Sequence, residues 1–248
     1  LVILFLYLPI LYIILQAFNK STTGFTFSGF TLKWFVKMFD NRDLMNAIYV
    51  TVSMAVLATL ISVVLGTMAA IGINALDKKK RKKMIILNNI PVFLMLTFQF
   101  VAVLLPTVEI FGYYTMLFSH VFFCIPYIVL SVLPKLNEID NNLFDAAMDL
   151  GCKPVDALRK VILPSIKSGI IAGALIAFTM SIDDFVISYM TKGGGVNNFS
   201  IWLHGVKNPF RNNALQMASA YNTIISVGTL IILVIYNITK KKKKGLKK

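Results

Sequence analysis

The chain has 248 residues, 57% of them hydrophobic, and a formal charge of +14 from 25 lysines and arginines against 11 acidic residues. Its mean hydropathy is +0.73, and its apolar runs reach about twenty residues, the length that crosses a hydrocarbon core, so it reads as a polytopic membrane protein with no soluble domain left over. Nucleic-acid binding is excluded as the source of the charge, because the basic residues lie between the spans and form no face with stacking aromatics. Two cysteines, Cys124 in an apolar run and Cys152 in a polar one, are too few for a metal site and poorly placed for a disulfide.

In chain order, residues 1–18 form a first span that opens without a methionine or a basic flank. The chain is therefore expected to be a fragment, and with no small-residue cleavage pattern behind it this span does not read as a signal peptide. Residues 19–45 are polar, with Gly24, Gly29 and Trp34, and a short amphipathic segment around 32–39 is expected to lie at the membrane interface. The second span falls within 46–76. Inside it Ser62, Gly66 and Ala70 recur every four residues, a small-residue ladder that lets membrane helices approach closely.

After the basic turn 77–83, a third span over 84–105 is interrupted by Pro91; a fourth covers 110–133, a fifth 169–190 and a sixth 214–238, before the lysine-rich tail 240–248. The fold class is thus all-α, with six transmembrane helices in one membrane domain, residues 1–248, and both ends on one side. Assigning the turn 77–83, the loop 134–168 and the tail to the cytoplasm gives them 6, 5 and 7 basic residues, 18 of the 25. That asymmetry sets the orientation by the positive-inside rule. No internal repeat of the kind found in many secondary transporters occurs.

The loop 134–168 is the most informative stretch. Asn142 is expected to cap a short helix with Asp145 reaching back toward it, and Gly151 to close that helix in a left-handed turn. Pro154 suits the first turn of a second helix, with Asp156 near its positive end, Arg159 and Lys160 near its negative end, and Pro164 discouraging continuation. Leu143, Ala147 and Leu150 fall on one side of the first helix, a narrow apolar face that something must cover.

The second informative stretch is 178–188, where Asp183 and Asp184 interrupt the apolar fifth span. Intramembrane carboxylates are expensive in hydrocarbon and by default face a bundle interior or a wet cavity. On one continuous helix Ser181, Asp184 and Ser188 share a face while Asp183 points elsewhere, near Thr179. Asp184 is expected to meet a polar pathway; Asp183 either joins it from the side or bonds to a neighbouring helix. The alternative is that both are buried polar packing. Counting from Gly169 at 1.5 Å per residue, the pair lies about 20 Å along the helix, in the outer half, where it would attract a cation partly stripped of water. Tyr113, Tyr114, Phe185 and Tyr189 are candidates for cation–π contacts, the alternative being that, like most aromatics in spans, they simply pack or anchor. His120 reads as a neutral histidine bonded between helices and stays outside the site. Gly193, Gly194 and Gly195 follow no strand and precede no Lys-Ser/Thr, so they read as a flexible outer loop, not a phosphate cradle.

The spacing Asp145-Ala146-Ala147, Gly151, then Val161, Leu163 and Pro164 resembles the cytoplasmic coupling loop of membrane subunits of ATP-binding-cassette importers, with Asp145 where that family prefers Glu and Val161 where it prefers Ile. Together with 119–127 (Ser-His-Val-Phe-Phe-Cys-Ile-Pro-Tyr) and 181–188, it resembles the second membrane subunit of the spermidine/putrescine permeases, well over 112–213 and elsewhere by hydropathy. The resemblance implies the type I importer permease fold, a homologous permease partner, two cytoplasmic ATP-binding subunits and an extracytoplasmic substrate-binding protein, with polyamine as substrate. It implies an ATPase contact through Asp145, Ala146, Ala147, Gly151, Val161, Leu163 and Pro164; the cation site itself is expected from Asp184, Asp183, Ser181, Ser188, Glu109 and Tyr113. ATP and Mg would sit in the partner. This chain carries no ATP-binding signature, and no cofactor or metal site is expected in it. After Pro91 it lacks the family's second proline and acidic residue, for which Glu109 is the candidate replacement. The alternatives are a permease for another solute such as ferric iron or thiamine, a channel, which needs no coupling loop, and an intramembrane enzyme, for which paired aspartates on different helices would be expected.

Overall fold

The computed structural model describes residues 2–22, 26–88, 112–140, 142–207 and 213–245. Helices α1 (Val2–Phe18), α2 (Lys33–Asp40) and α3 (Arg42–Asn74) are followed by α4, helical over 78–88. Then come α5 (Tyr113–Asn137), α6 (Leu143–Asp149), α7 (Pro154–Ala157), a π-helical turn (Leu158–Ile162), α8 (Leu163–Ile182), α9 (Val186–Thr191), α10 (Phe199–Gly205) and α11 (Ala214–Gly245). Among the described residues the only β pairing is an isolated bridge between Asn19 and Phe30. Four helical stretches are long and apolar enough to cross a membrane: Arg42–Asn74, Tyr113–Asn137, Pro154–Ile182 and Ala214–Ile232. Tyr7–Phe18 is apolar but shorter. Most of the expected third span, with Pro91, lies outside the described residues, as does Glu109.

The chain divides into two compact units. One comprises residues 1–46 and 202–248. In it α11 packs against α1 and α2. The segment expected to be amphipathic is α2, and its Trp34 is buried, donating its indole Nε1–H to the Asn19 carbonyl at 2.6 Å. Asn19 organises the turn before it. Its Oδ1 accepts the backbone N–H groups of Ser21 and Ser28, and its amide donates to the Thr26 carbonyl. A buried asparagine with both ends of its amide engaged satisfies backbone groups on either side of the turn, beside the backbone bonds Lys20 N–H to Gly29 and Thr31 N–H to Phe18.

The other unit is 47–201, and here small residues set the geometry. The ladder in α3 packs as expected against α5: Ser62 is fully buried and donates to the Val121 carbonyl at 3.0 Å, a Cβ on Gly66 would meet Ile128 Cβ at 2.7 Å, and Ala70 joins the core. An equivalent ladder, with no counterpart in the sequence reading, runs along α8. Gly169 and Gly173 lie so close to α5 that added Cβ atoms would meet the Ser131 carbonyl at 2.8 Å and Ile128 Cα at 3.1 Å. Ala177 and Ser181 continue the four-residue spacing, and all four are buried. Without such residues two membrane helices cannot bring their backbones this near, since larger side chains would collide, and close packing is what associates helices where lipid tails supply no hydrophobic drive.

Candidate functional site

Two places in the 47–201 unit break helical regularity, and each carries residues singled out in the sequence. The first is the loop between α5 and α8. Gly151 has φ +82°, its N–H bonds to the Met148 carbonyl, and the Cys152 N–H bonds to the Ala147 carbonyl. That pair of bonds is a Schellman closure, which a left-handed glycine makes available. Pro154 stands in the first turn of α7, with Lys153 extended before it. The capping box does not form. Asn142 is itself helical in backbone and makes no side-chain cap, and its N–H instead bonds to the Asp140 carboxylate at 3.0 Å.

Pro164 also does not stop the second helix, so Arg159 and Lys160 stand within continuous helix and not at its end. The chain runs helically from Pro154 to Ile182. A proline inside a helix lacks an N–H and crowds the carbonyl four residues back. The π turn Leu158–Ile162 immediately before it accommodates this: the Leu163 N–H bonds to the Leu158 carbonyl five residues back, and the Ser165 hydroxyl donates to the Val161 carbonyl at 2.7 Å. A widened turn of this kind relieves the strain while the helix continues.

Burial sorts the residues of this loop. Ala147 and Ala157 are buried and Val161 and Leu163 are half-buried, whereas Asp145, Ala146, Gly151 and Pro164 are exposed. The apolar face expected from Leu143, Ala147 and Leu150 is therefore split. Ala147 turns inward, while Leu150, 87% exposed, stands outside with Val155 and Leu143. Phe144, Leu158 and Leu163 pack on the core that holds Leu136, Ile162 and Ile166, so the loop is anchored as a folded element.

The second place is the break between α8 and α9. The fifth span is not one helix. It ends at Ile182, and residues 183–185 are non-helical before α9 begins at Val186. The shared face of Ser181, Asp184 and Ser188 on a continuous helix is thus replaced by convergence on a residue the sequence reading set aside. His120 of α5, 1% exposed, lies 2.8 Å through Nδ1 from Ser181 Oγ and 2.9 Å through Nε2 from Ser188 Oγ. Its reading as a histidine bonded between helices holds; its place at the centre of the cluster was missed. The available signal was an intramembrane histidine together with two serines flanking a carboxylate pair.

The two aspartates have different environments. Asp184 caps α9: its Oδ2 accepts the Ser188 N–H at 2.8 Å and the Ser188 hydroxyl at 3.1 Å, its Oδ1 lies 3.4 Å from the Ile187 N–H, and its own carbonyl accepts from Asn198 Nδ2. His120 Nε2 lies 3.7 Å from the same Oδ2. A carboxylate facing the free N–H groups of a helix start is both bonded and favourably placed in the helix dipole. Asp183 is exposed, and no hydrogen bond or ion pair ties its carboxylate to another described residue. Of the aromatics, Tyr113 donates its hydroxyl to Ser53 at 3.1 Å, two turns from His120 on the same face of α5, and Phe185 stacks on Tyr189 at 5.3 Å. Among the described residues no group of three metal-ligating side chains occurs.

Spanning helices, a folded polar loop between two of them and a broken helix presenting a carboxylate have the construction of a transporter's membrane subunit. The profile of the family described as "Binding-protein-dependent transport system inner membrane component" matches residues 83–245. The chain belongs to that family. It is 27% identical to the spermidine/putrescine transport system permease protein PotC of Haemophilus influenzae, over 96% of this chain and 93% of that one. It is 28% identical to PotC of Escherichia coli strain K12, over 97% and 92%, and 30% identical to the putrescine transport system permease protein PotI of the same strain, over 77% and 72%. The crystal structure of a bacterial ABC transporter involved in the import of the acidic polysaccharide alginate superposes with a TM-score of 0.67 over 96% of this chain and 91% of that one, at 14% identity. At that identity the likeness establishes the fold, the type I permease arrangement of helices. The chain is a multi-pass permease of a multi-subunit importer and not an enzyme.

Proposed function

We propose that this permease subunit carries polyamines inward and that Asp183 is the first carboxylate of this chain to meet the cation. The observation that supports it most is an exposed carboxylate, bonded to no described residue, at a break in a spanning helix, in a chain aligned almost end to end with spermidine/putrescine permeases. A polyamine leaves water as a chain of ammonium groups, and a carboxylate whose bonding capacity is unspent offsets that loss. Asp184, Ser181 and Ser188 shape the break behind it, and Tyr113 and Glu109 are further candidates on the path. A neutral solute gains nothing from such a group.

The partners in this reading are a homologous permease, two ATP-binding subunits and an extracytoplasmic substrate-binding protein, with ATP and Mg held by the ATPase and no cofactor in this chain. The ATPase contacts the loop through Asp145, Ala146 and Gly151 and the exposed Leu150 and Val155, with Ala147, Val161, Leu163 and Pro164 holding that surface in shape. The turn 77–83, the loop and both termini face the cytoplasm. A cysteine replacing Lys80 should then resist impermeant thiol reagents in intact cells while one replacing Gly194 reacts, in a background lacking Cys124 and Cys152. The opposite pattern refutes this orientation.

The substrate reading is tested by uptake into proteoliposomes holding the assembled complex. Asp183→Asn keeps the shape and removes the charge, and is expected to raise the KM for spermidine about tenfold, the worth of one charge-assisted contact of about 1.5 kcal/mol. An unchanged KM for spermidine and putrescine ends the claim that Asp183 meets the cation.

A further inference from the structure

His120 bonds to both sides of the break in the fifth span, and its hydrogens can be ordered from its partners. Asp184 Oδ2 is an acceptor and lies 3.1 Å from Ser188 Oγ, so the Ser188 hydroxyl donates to it. That hydroxyl then faces His120 Nε2, 2.9 Å away, only as an acceptor, and Nε2 must carry the hydrogen. In a neutral imidazole Nδ1 is then the acceptor and receives the Ser181 hydroxyl at 2.8 Å. The result is a one-way chain from Ser181 at the end of α8, through His120 in α5, to Ser188 in α9 and the Asp184 carboxylate. Every link is buried or nearly so: Ser181 is 2% exposed, Ser188 0% and His120 1%, with the Asp184 side chain at 10%.

The covalent chain alone does not fix this geometry. Between Ile182 and Val186 the helical ladder is interrupted, so the direction of α9 relative to α8 depends on what bonds across the gap. Three donors converge on Asp184 and hold its carboxylate against α9, and Asp183 is left facing outward. An imidazole suits the bridging position because its two ring nitrogens point apart and can each serve one serine. A Gln amide has no such pair of opposed edges on a rigid ring.

We propose that His120 is a positioning residue for transport: as the Nε2–H tautomer it pins α9 to α8 across the break and so fixes where Asp183 is presented to the passing cation. This rests on the polyamine reading for its kinetic consequence and not for its structural one. The test therefore has two arms on the assembled complex, with His120→Ala, His120→Gln and the smaller Ser188→Ala. In hydrogen exchange the amides of α9, those of Ile187 and Ser188 first, should exchange about tenfold faster in His120→Ala and Ser188→Ala, with α5 and the Gly169 to Ala177 part of α8 unchanged. In uptake the KM for spermidine should rise about five- to tenfold, as for one or two lost neutral hydrogen bonds, with a smaller change in maximal rate and partial rescue in His120→Gln. Unchanged exchange in α9 for both His120→Ala and Ser188→Ala overturns the pin, as does a loss of maximal rate at constant KM. A wild type that moves no polyamine overturns the substrate reading instead, and the exchange arm then decides the pin by itself.

Discussion

The two ends of the α5–α8 contact are held together by opposite means. Near the loop, Gly169 and Gly173 let α8 come within van der Waals reach of the Ser131 carbonyl and the Ile128 backbone, with no hydrogen bond between side chains. Three turns further, at the same four-residue spacing, Ser181 meets α5 through the His120 ring and the helix breaks. The dry end is rigid because any added atom collides. The polar end is held by a few directional bonds that can be made and broken singly, the property an element presenting a moving substrate requires. Buried polar networks in membranes contribute modestly per bond, about 0.6 kcal/mol on average, whereas overpacking at a glycine contact acts on whole backbones.

Two substitutions separate the two kinds of contact. Gly169→Leu should be the most damaging, lowering stability by about 3 kcal/mol or more, since its Cβ would lie 2.8 Å from a backbone carbonyl that cannot give way. Loss of the thermal transition of the detergent-solubilised protein, or of its yield, reports this; a wild-type melting point would show that the helices are not so close. Ser181→Ala removes one donor from the polar end and leaves His120 Nδ1 without its partner, at a cost of about 1 to 2 kcal/mol. It should lower the melting temperature less than Gly169→Leu does, and a larger drop would reverse the contrast drawn between the ends.

The smallest effect on stability is expected at Leu150, 87% exposed on the loop. Leu150→Arg should change stability by less than about 0.5 kcal/mol, as at other surface positions, yet reduce co-purification of the ATP-binding subunits. Ala147→Arg is a poorer probe of docking, because Ala147 is buried and an arginine there disturbs packing as well. Normal ATPase recovery and uptake with Leu150→Arg would remove this surface from the contact.

The parts legible in the sequence are those whose physics is local. Twenty-residue apolar runs marked the spans, the spacing of Ser62, Gly66 and Ala70 marked a packing face, and Gly151 and Pro154 marked a helix end and a helix start, because a left-handed turn and a missing N–H act on the residues beside them. The same spacing at Gly169, Gly173, Ala177 and Ser181 is equally present in the sequence, and its physics is as local.

What only the tertiary structure decided depended on partners far away in the chain. Pro164 sits in a continuous helix because a π turn before it rearranges the hydrogen bonds, a solution that packing of Ile162 and Leu163 on the core makes affordable and that no propensity announces. The capping box has no Asn142 N–H left for Asp145 once Asp140 accepts it, and Asn142, helical in backbone, makes no side-chain cap. Asp183 and Asp184 are neighbours of identical chemistry, and no one-dimensional rule could give one a cap to form and leave the other exposed, with no bond to a described residue. That division follows from the break itself, where the first N–H groups of α9 face Asp184, and from a histidine more than sixty residues earlier whose two nitrogens reach serines on both sides of that break.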